Sequence, residues 1–192
     1  GSLMPDENKM KVLKNYKILK RIDMRKVIGI GETILDIIFK NEQPTAAKPG
    51  GSTFNSMITL GRLGVNTEFI SEVGRDRLGK QIKDFLAENN VKSENVYDYD
   101  GGKTALSLAF LDENMNADYL FYKNDAAQKL DYVMPKIEEN DIIVIGSFFS
   151  INDALRENLT YLLDEAKRKK AIIYYDVNFR KNRKSQVRFL MP

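Results

Sequence analysis

A carboxylate, a pair of glycines and a carboxamide follow one another between positions 36 and 55 of the chain. Asp36 interrupts the apolar run TILDIIF, and a buried carboxylate needs polar partners because an unpaired charge is costly to bury. Gly50 and Gly51 leave the main chain bare just before a predicted helix, where free N–H groups can bind a ligand. Asn55 can both donate and accept hydrogen bonds. A carboxamide of this kind suits a hydroxyl group of a ligand, and the residues together are candidates for a ligand site.

Each of these residues also has a purely structural interpretation. Asp36 can belong to an ion pair or to an edge strand, and paired glycines are common in loops. Asn55 can be an ordinary polar residue on the surface of a helix start. The glycine pair fits neither the G-x-G-x-x-G fingerprint nor a Walker A loop, which requires G-K-[ST].

A second group of polar residues follows the last predicted strand. Asp176, Asn178 and Arg180 alternate along the chain, so their side chains can share one face of that strand. Ligands of open α/β sheets gather at the carboxyl ends of the strands, although a solvated strand end would look the same. Lys123 follows the aromatic run YLFY and can either reach an anion or hydroxyl or simply be solvated.

The composition narrows the chemistry. The 192 residues include no Cys, His or Trp, which excludes disulfides, the usual zinc sites and Ser-His or Cys-His catalytic pairs. Any reaction must use carboxylates, Lys and Arg side chains, backbone amides and a bound cofactor. The absence of Cys fits a reducing compartment such as the cytoplasm.

The basic residues are concentrated at the two ends of the chain. Residues 1–23 carry six basic and three acidic side chains, and residues 180–192 carry five basic and no acidic ones. Because the whole chain has a net charge of +3, the part between these ends is acidic, which argues against a nucleic-acid-binding face. No apolar run approaches a membrane span, and the N-terminus lacks the apolar stretch of a signal peptide.

The first 23 residues are interpreted as a tag remnant, GSL, and a polar, basic extension. Met24 directly precedes the first predicted strand and is a plausible natural start. The remaining residues, 24–192, are predicted to form one domain.

Hydrophobic patterns predict alternating strands and helices. Helix 53–64 is predicted to begin at Ser52 as N-cap and to end before Gly64, after a proline-containing loop with Pro44 and Pro49. A third helix is predicted with Ser150 or Asn152 as its cap. Strands are predicted at 26–31, 33–39, 67–74, 141–149 and 171–179, and the other helices at 76–90 and 150–170.

Residues 104–124 depart from this alternation. Two apolar, partly alternating runs flank the polar turn from Asp112 to Asn116, which predicts a β-hairpin. The strand–helix alternation predicts an α/β fold with a parallel sheet, so the hairpin is expected in a separate small sheet.

Several motifs in order and spacing resemble one family. The motifs are GIGETILDIIF, KPGGSTFNSMITLGRLGVNTEFISEVGRDRLGKQI, TALSLAFLDENMNADYLFYKNDAA, DIIVIGS and YYDVNFR. They are similar to those of ribokinase-like, phosphofructokinase B type carbohydrate kinases, over about residues 26–180, and the hairpin looks most like that of fructokinases. The resemblance implies a parallel-sheet, ribokinase-like Rossmann-type core with a small β-sheet lid, from about 33–48 and 103–124.

The resemblance also implies roles for individual residues. Asp36 and Asn55 would hold sugar hydroxyls, and Gly50 and Gly51 would let the sugar lie against the backbone. Lys123 stands where many fructokinases have Arg and would also contact the substrate. In addition, Asn178 and Arg180 would lie between sugar and phosphates.

Other parts of the family pattern differ or are absent. A Trp often follows the D-x-N-x-R element but not here, and Phe54 is bulkier than the usual residue. The later N-x-x-E and G-A-G-D motifs are missing, so the resemblance implies a C-terminally truncated chain whose catalytic Asp base lies beyond residue 192. We therefore expect no kinase activity from this chain alone.

The resemblance implies ATP and Mg²⁺ as cofactors of the complete enzyme and allows a monovalent cation, with none of them bound by the residues present here. Fructose, 2-keto-3-deoxygluconate and a nucleoside stay open as substrates, in that order of preference. A non-catalytic sugar-binding or regulatory module is the alternative function. An exposed sheet edge after AIIYYDVNF is expected, which allows a homodimer through that edge or the lid.

Overall fold

The computed structural model describes residues 25–123, 129–146 and 148–178. The predicted strands and helices are present, and the structure adds strands at 43–50, 91–92 and 96–99 that the patterns did not predict. The strands are β1 Lys26–Ile30, β2 Ile34–Lys40, β3 Gln43–Gly50, β4 Asn66–Gly74, β5 Val91–Lys92, β6 Val96–Tyr99, β7 Leu106–Leu111, β8 Ala117–Tyr122, β9 Ile142–Gly146 and β10 Ile172–Asp176. The helices are α1 Ser52–Arg62, α2 Arg77–Glu88 and α3 Arg156–Arg168.

The large sheet is parallel and has helices on both faces. Its strands are ordered β10-β9-β1-β4-β5, with β6 beside the end of β4. The central strands are rich in Val and Ile because both of their faces are buried. One core packs under α3, and the other lies under α1 and α2, where the Phe54 ring meets the Phe69 ring edge-on at 5.7 Å. The predicted α/β fold with a parallel sheet is therefore confirmed.

A second, four-stranded sheet has the order β3-β2-β7-β8. The predicted hairpin is confirmed as β7 and β8, which pair antiparallel around a turn closed by Asp112 and Asn116. The loop expected around Pro44 and Pro49 is instead strand β3. This strand lies at the edge of the small sheet, where proline is tolerated because half of the N–H groups have no partner strand.

One of the two predicted helix caps is wrong, and the other belongs to a 3₁₀ turn that leads into the helix. Gly51, not Ser52, is the N-cap residue of α1, and it provides no side-chain cap. The region expected to open the last helix forms two 3₁₀ turns, and Asn152 caps the second of them by accepting the Ala154 N–H at 3.0 Å. The predicted end of α1 is confirmed, because Gly64 follows it with φ of 79°.

Strand β10 pairs only with β9 among the described residues. Large side chains on one face of this strand lie in solvent: Ile172 is 47% and Tyr174 is 61% exposed. A groove of about 320 Å³ lies between this strand and α3, with Leu159 and Ile173 in its lining. The expectation of an exposed apolar edge after this strand therefore holds for the described residues.

None of the helices in the described ranges combines the length and the apolar character needed to cross a bilayer.

Glu72, near the end of β4, is a buried carboxylate that the sequence patterns do not single out. Its side chain is 6% exposed. Its Oε2 accepts the N–H groups of Lys129 at 3.0 Å and Leu130 at 2.9 Å, whereas Oε1 has no partner among the described residues. Burial raises the pKa of Glu72; the two backbone hydrogen bonds oppose this effect, and the nearby charge of Glu32 adds to it. The ionised form is therefore disfavoured by the fold.

A first prediction concerns Gly61 in the interior of α1. Alanine normally stabilises a helix relative to glycine by about 1 kcal/mol. Here an alanine Cβ would clash with the carbonyl oxygen of Asn89 and lie 2.8 Å from Cγ2 of Val91. We therefore expect Gly61→Ala to lower the free energy of unfolding by about 1–3 kcal/mol, measured by urea denaturation.

The exposed position Ser56 in the same helix provides the control. Ser56→Ala should change the free energy of unfolding by less than about 0.5 kcal/mol or increase it slightly. A stabilised Gly61→Ala variant would show that α1 is not held against the chain at Asn89.

A second prediction concerns the pH dependence of stability. A carboxyl group with a raised pKa in the folded state stabilises the fold fully below its ordinary pKa of 4.5 and loses that contribution as pH rises toward the raised value. Glu72→Gln cannot ionise. Its free energy of unfolding relative to wild type should therefore increase from pH 4.5 upward, in denaturation curves recorded across this range.

Glu94→Gln, at an exposed position, is the matched control for the loss of a carboxyl group. If the Glu72→Gln difference does not change with pH, or decreases with pH, the buried carboxyl does not have a raised pKa.

Candidate functional site

The turn formed by Gly50 and Gly51, here called the glycine turn, lies against the link that joins the two sheets. Residues 31–33 connect β1 to β2, and the main chain at Gly51 is so close to the carbonyl oxygen of Glu32 that any Cβ would clash with it. Gly51 also has φ of 137°, which side chains rarely allow. The Thr33 hydroxyl donates to the Gly50 carbonyl at 3.3 Å. The bare backbone at Gly51 is thus required by the fold itself.

Asp36 lies beside this turn. Its Oδ1 accepts a hydrogen bond from the hydroxyl of Ser107, which is fully buried on the neighbouring strand β7. A Cβ at Gly50 would lie 2.5 Å from Asp36 Oδ2, so only glycine leaves room for the carboxylate. Within the described ranges, Oδ2 accepts no further hydrogen bond. One carboxylate oxygen is therefore fixed, and the other remains at the glycine turn.

The strand register places a row of different chemistries on this face of the small sheet. Asp36 is opposite Ser107, and Ser107 is opposite Phe121 on β8. The Tyr119 ring stacks on the Phe121 ring at 5.8 Å, and Lys123 Nζ lies 5.4 Å from the centroid of the Phe121 ring. A carboxylate, a hydroxyl, two aromatic rings and a cation therefore share one face.

Lys123 has a definite partner. It forms an ion pair with Glu32, with side chains 18% and 26% exposed, so the solvated alternative is wrong. This ion pair joins the end of β8 to the link between the sheets. The sequence patterns did not single out Glu32 or Ser107 as site residues, although Ser107 is the polar interruption of an apolar strand, as Asp36 is.

Asn55 lies in the first turn of α1, with its side chain exposed. Its N–H donates to the Gly51 carbonyl at 2.9 Å. Asp36 and Asn55 thus border the same glycine pair, although their side chains do not bond to each other.

The start of α1 also meets the end of β10. The hydroxyl of Ser52 donates to Asp176 Oδ2 at 3.4 Å, and Asp176 Oδ1 accepts the Asn178 N–H at 3.0 Å. Asn178 has φ of 41°, the left-handed region that asparagine tolerates. This group therefore stands at the carboxyl edge of the large sheet, next to the glycine turn. Arg180, predicted to share this position, lies outside the described residues.

The assembled chemistry suits a polar, uncharged ligand. A carboxylate oxygen accepts hydrogen bonds from hydroxyl groups, the carboxamide of Asn55 can donate and accept them, and the glycine backbone offers a close floor. No three His, Cys, Asp or Glu side chains in the described part of the chain are grouped as metal ligands.

Comparisons with known proteins point in the same direction. The sequence profile of the pfkB family of carbohydrate kinases matches residues 24–191. The probable fructokinase-3 of Arabidopsis thaliana is 26% identical over 165 residues, which cover 80% of this chain and 48% of the relative. The chain spans about half the length of the curated relatives it matches.

Solved structures share the fold. A fructokinase from Xylella fastidiosa is 25% identical with a TM-score of 0.70, over 81% of this chain and 53% of that one. A double-mutant fructokinase from Vibrio cholerae O395, solved in a fructose, ADP and potassium ion bound form, is 18% identical with a TM-score of 0.68, over 83% of this chain and 52% of that one. The resemblance to a ribokinase-like fold is therefore confirmed. Since the family profile covers far more than half of the chain, the chain belongs to the pfkB family of carbohydrate kinases.

Proposed function

We propose that this chain holds the sugar-binding part of an ATP-dependent carbohydrate kinase whose substrate is a ketohexose such as fructose. The observation that carries the proposal is the Asp36 carboxylate, fixed by Ser107 through one oxygen and directed at the glycine turn with the other. A fixed carboxylate beside bare main chain is suited to a polyol, because neighbouring hydroxyl groups can bond to both.

The surrounding residues complete the proposed site. Asn55 would bind a second hydroxyl group, since its carboxamide can donate and accept. Lys123, held by Glu32, would donate to the sugar from the β8 side. Asn178, with Arg180, would lie between the sugar and the phosphates. The ion pair of Lys123 favours a neutral sugar over the sugar acid 2-keto-3-deoxygluconate, because the cation is already compensated.

The small sheet would act as a lid over the sugar. Its face carrying Asp36 and Ser107 adjoins the glycine turn, so a bound sugar would lie between this sheet and the start of α1. Covering the sugar would exclude water from the hydroxyl group that is phosphorylated.

The nucleotide is proposed for the complete enzyme only. A relative was solved with ADP and a potassium ion. We assign no described residue of this chain to ATP, Mg²⁺ or removal of the hydroxyl proton. In the complete enzyme, bound ATP would supply the phosphoryl group, and this chain's residues would bind and orient its acceptor.

The experiment that tests the proposal is a titration of the chain with fructose, followed by calorimetry. Asp36→Asn keeps the shape of the side chain but removes the charge that strengthens its hydrogen bonds. We expect this variant to weaken fructose binding by about 10- to 100-fold, the value of a hydrogen bond to a charged group.

Asp118→Asn is the matched control, because Asp118 lies on β8 but on the opposite face of the same sheet. It should bind fructose like wild type. Binding of 2-keto-3-deoxygluconate in preference to fructose would change the proposed substrate. Failure of the wild-type chain to bind either sugar would contradict the proposal. Sugar-dependent ATP turnover by this chain alone would overturn the assignment of the catalytic groups to the complete enzyme.

We also propose that the chain works in a reducing compartment such as the cytoplasm and pairs with a second copy through its exposed β10 edge or its lid. Tyr174 on β10 is 61% exposed, and Leu120 on β8 is 49% exposed. An unpaired strand beside apolar side chains promotes association.

Sedimentation velocity provides the test. Tyr174→Lys or Leu120→Lys should shift the chain from dimer toward monomer, and which of the two does so identifies the surface. Tyr161→Lys changes a tyrosine on α3 that is 65% exposed and should leave the distribution unchanged. A monomeric wild-type chain at all concentrations would contradict the pairing.

A further inference from the structure

The chain just before strand β7 is held at the end of the large sheet by one carboxylate, Asp76. Its Oδ2 accepts the N–H of Thr104 at 2.8 Å, and its Oδ1 accepts the Thr104 hydroxyl at 2.7 Å. The same Oδ1 caps helix α2 by accepting the N–H groups of Leu78 at 3.0 Å and Gly79 at 2.8 Å. A single side chain therefore joins a helix start of the body to the beginning of the hairpin.

Thr104 is placed accurately by this arrangement. It is 3% exposed, and its hydroxyl oxygen also accepts the Gly74 N–H at 3.1 Å. The chain passes so close to Gly74 that a Cβ there would lie 2.5 Å from the Thr104 nitrogen. Thr104, and with it the start of β7, thus has little freedom to shift along the end of β4.

Ser107, the residue that holds Asp36 in the proposed sugar site, lies three residues further along the chain. The carbonyl of Ala105 accepts the Leu35 N–H at 3.0 Å, which sets the register between β2 and β7. That register places Ser107 opposite Asp36 and allows its hydroxyl to hold Asp36 Oδ1. A shift of Thr104 would therefore be transmitted to the carboxylate that faces the glycine turn.

We infer that Asp76 is a positioning residue: through Thr104 it fixes β7, and thereby orients Asp36 toward its ligand. The inference rests on the proposed sugar-binding function of Asp36. Asp76 does not touch the proposed ligand position and acts only through the strand that it holds.

The ionisation of Asp76 agrees with this role. Burial by itself would raise the pKa of Asp76, but the hydrogen bonds from Thr104, Gly79 and Leu78 together lower it. The basic residues that flank Asp76 and Thr104 in the sequence, Arg75, Arg77 and Lys103, are exposed, so solvent screens their charges. Asp76 is therefore a charged acceptor at neutral pH.

Asp76 both caps α2 and holds Thr104, and the test separates these two roles by changing Thr104. Thr104→Val keeps the shape of the side chain and leaves the cap of α2 intact, but it removes the hydroxyl. We expect this variant to bind fructose at least about fivefold more weakly, because Asp36 would be displaced from the position in which it binds the sugar. Thr104→Ser restores the hydroxyl and should bind within about twofold of wild type.

Thr67→Val is the matched control. Thr67 is also buried, at 1% exposed, and its hydroxyl donates to a backbone carbonyl, but it stands at the amino end of β4, away from the site. It should lose stability without losing sugar affinity. Equal losses of affinity in Thr67→Val and Thr104→Val would show a general effect of destabilisation and overturn the inference.

Amide hydrogen exchange gives a readout that needs no sugar. In Thr104→Val the Leu35 amide and the β7 amides should exchange faster, whereas those of Leu78 and Gly79 in α2 should not change. Unchanged exchange at Leu35 would overturn the positioning role. If exchange changes as expected but the wild-type chain binds no sugar, the positioning of Asp36 stands and the proposed function fails.

Discussion

The close approach of the main chain at Gly51 to the carbonyl of Glu32 is the constraint on which the rest of this structure depends. Any side chain at position 51 would separate the start of α1 from the link between the two sheets. That separation would also remove Gly50 from Asp36 and Ser52 from Asp176. One backbone contact therefore brings together residues from β2, α1 and β10.

Two acidic side chains near the end of β4 hold the hairpin, one before β7 and one after β8. Asp76 binds the chain where it enters β7, and Glu72 binds it at Lys129 and Leu130, after β8. Both lie at the end of β4, and each accepts backbone N–H groups that would otherwise have no partner. Glu72 does this at the cost of a raised pKa, whereas the additional hydrogen bonds of Asp76 lower its pKa. Directed hydrogen bonds to these two side chains thus hold the hairpin at both of its ends.

Local patterns predicted most of the architecture, because periodicity and turn residues act over short distances. The parallel sheet, the hairpin with its turn at Asp112 and the end of α1 at Gly64 followed from the sequence. Strand β3 did not, since proline usually ends a strand and only its edge position makes Pro44 acceptable. The cap at Ser52 also failed, because its hydroxyl binds Asp176, a residue that is distant in sequence and adjacent only after folding.

By itself, the sequence determined which chemical groups are present and roughly where: the interrupting carboxylate Asp36, the glycine pair and the polar end of the last strand. Tertiary structure alone decided what each of them binds. Ser107 reaches Asp36, and Glu32 reaches Lys123, only through the pairing of β2 with β7 and of β7 with β8. Such partners escape local reasoning because hydrogen bonds and ion pairs depend on distances in space, which strand register sets and sequence spacing does not.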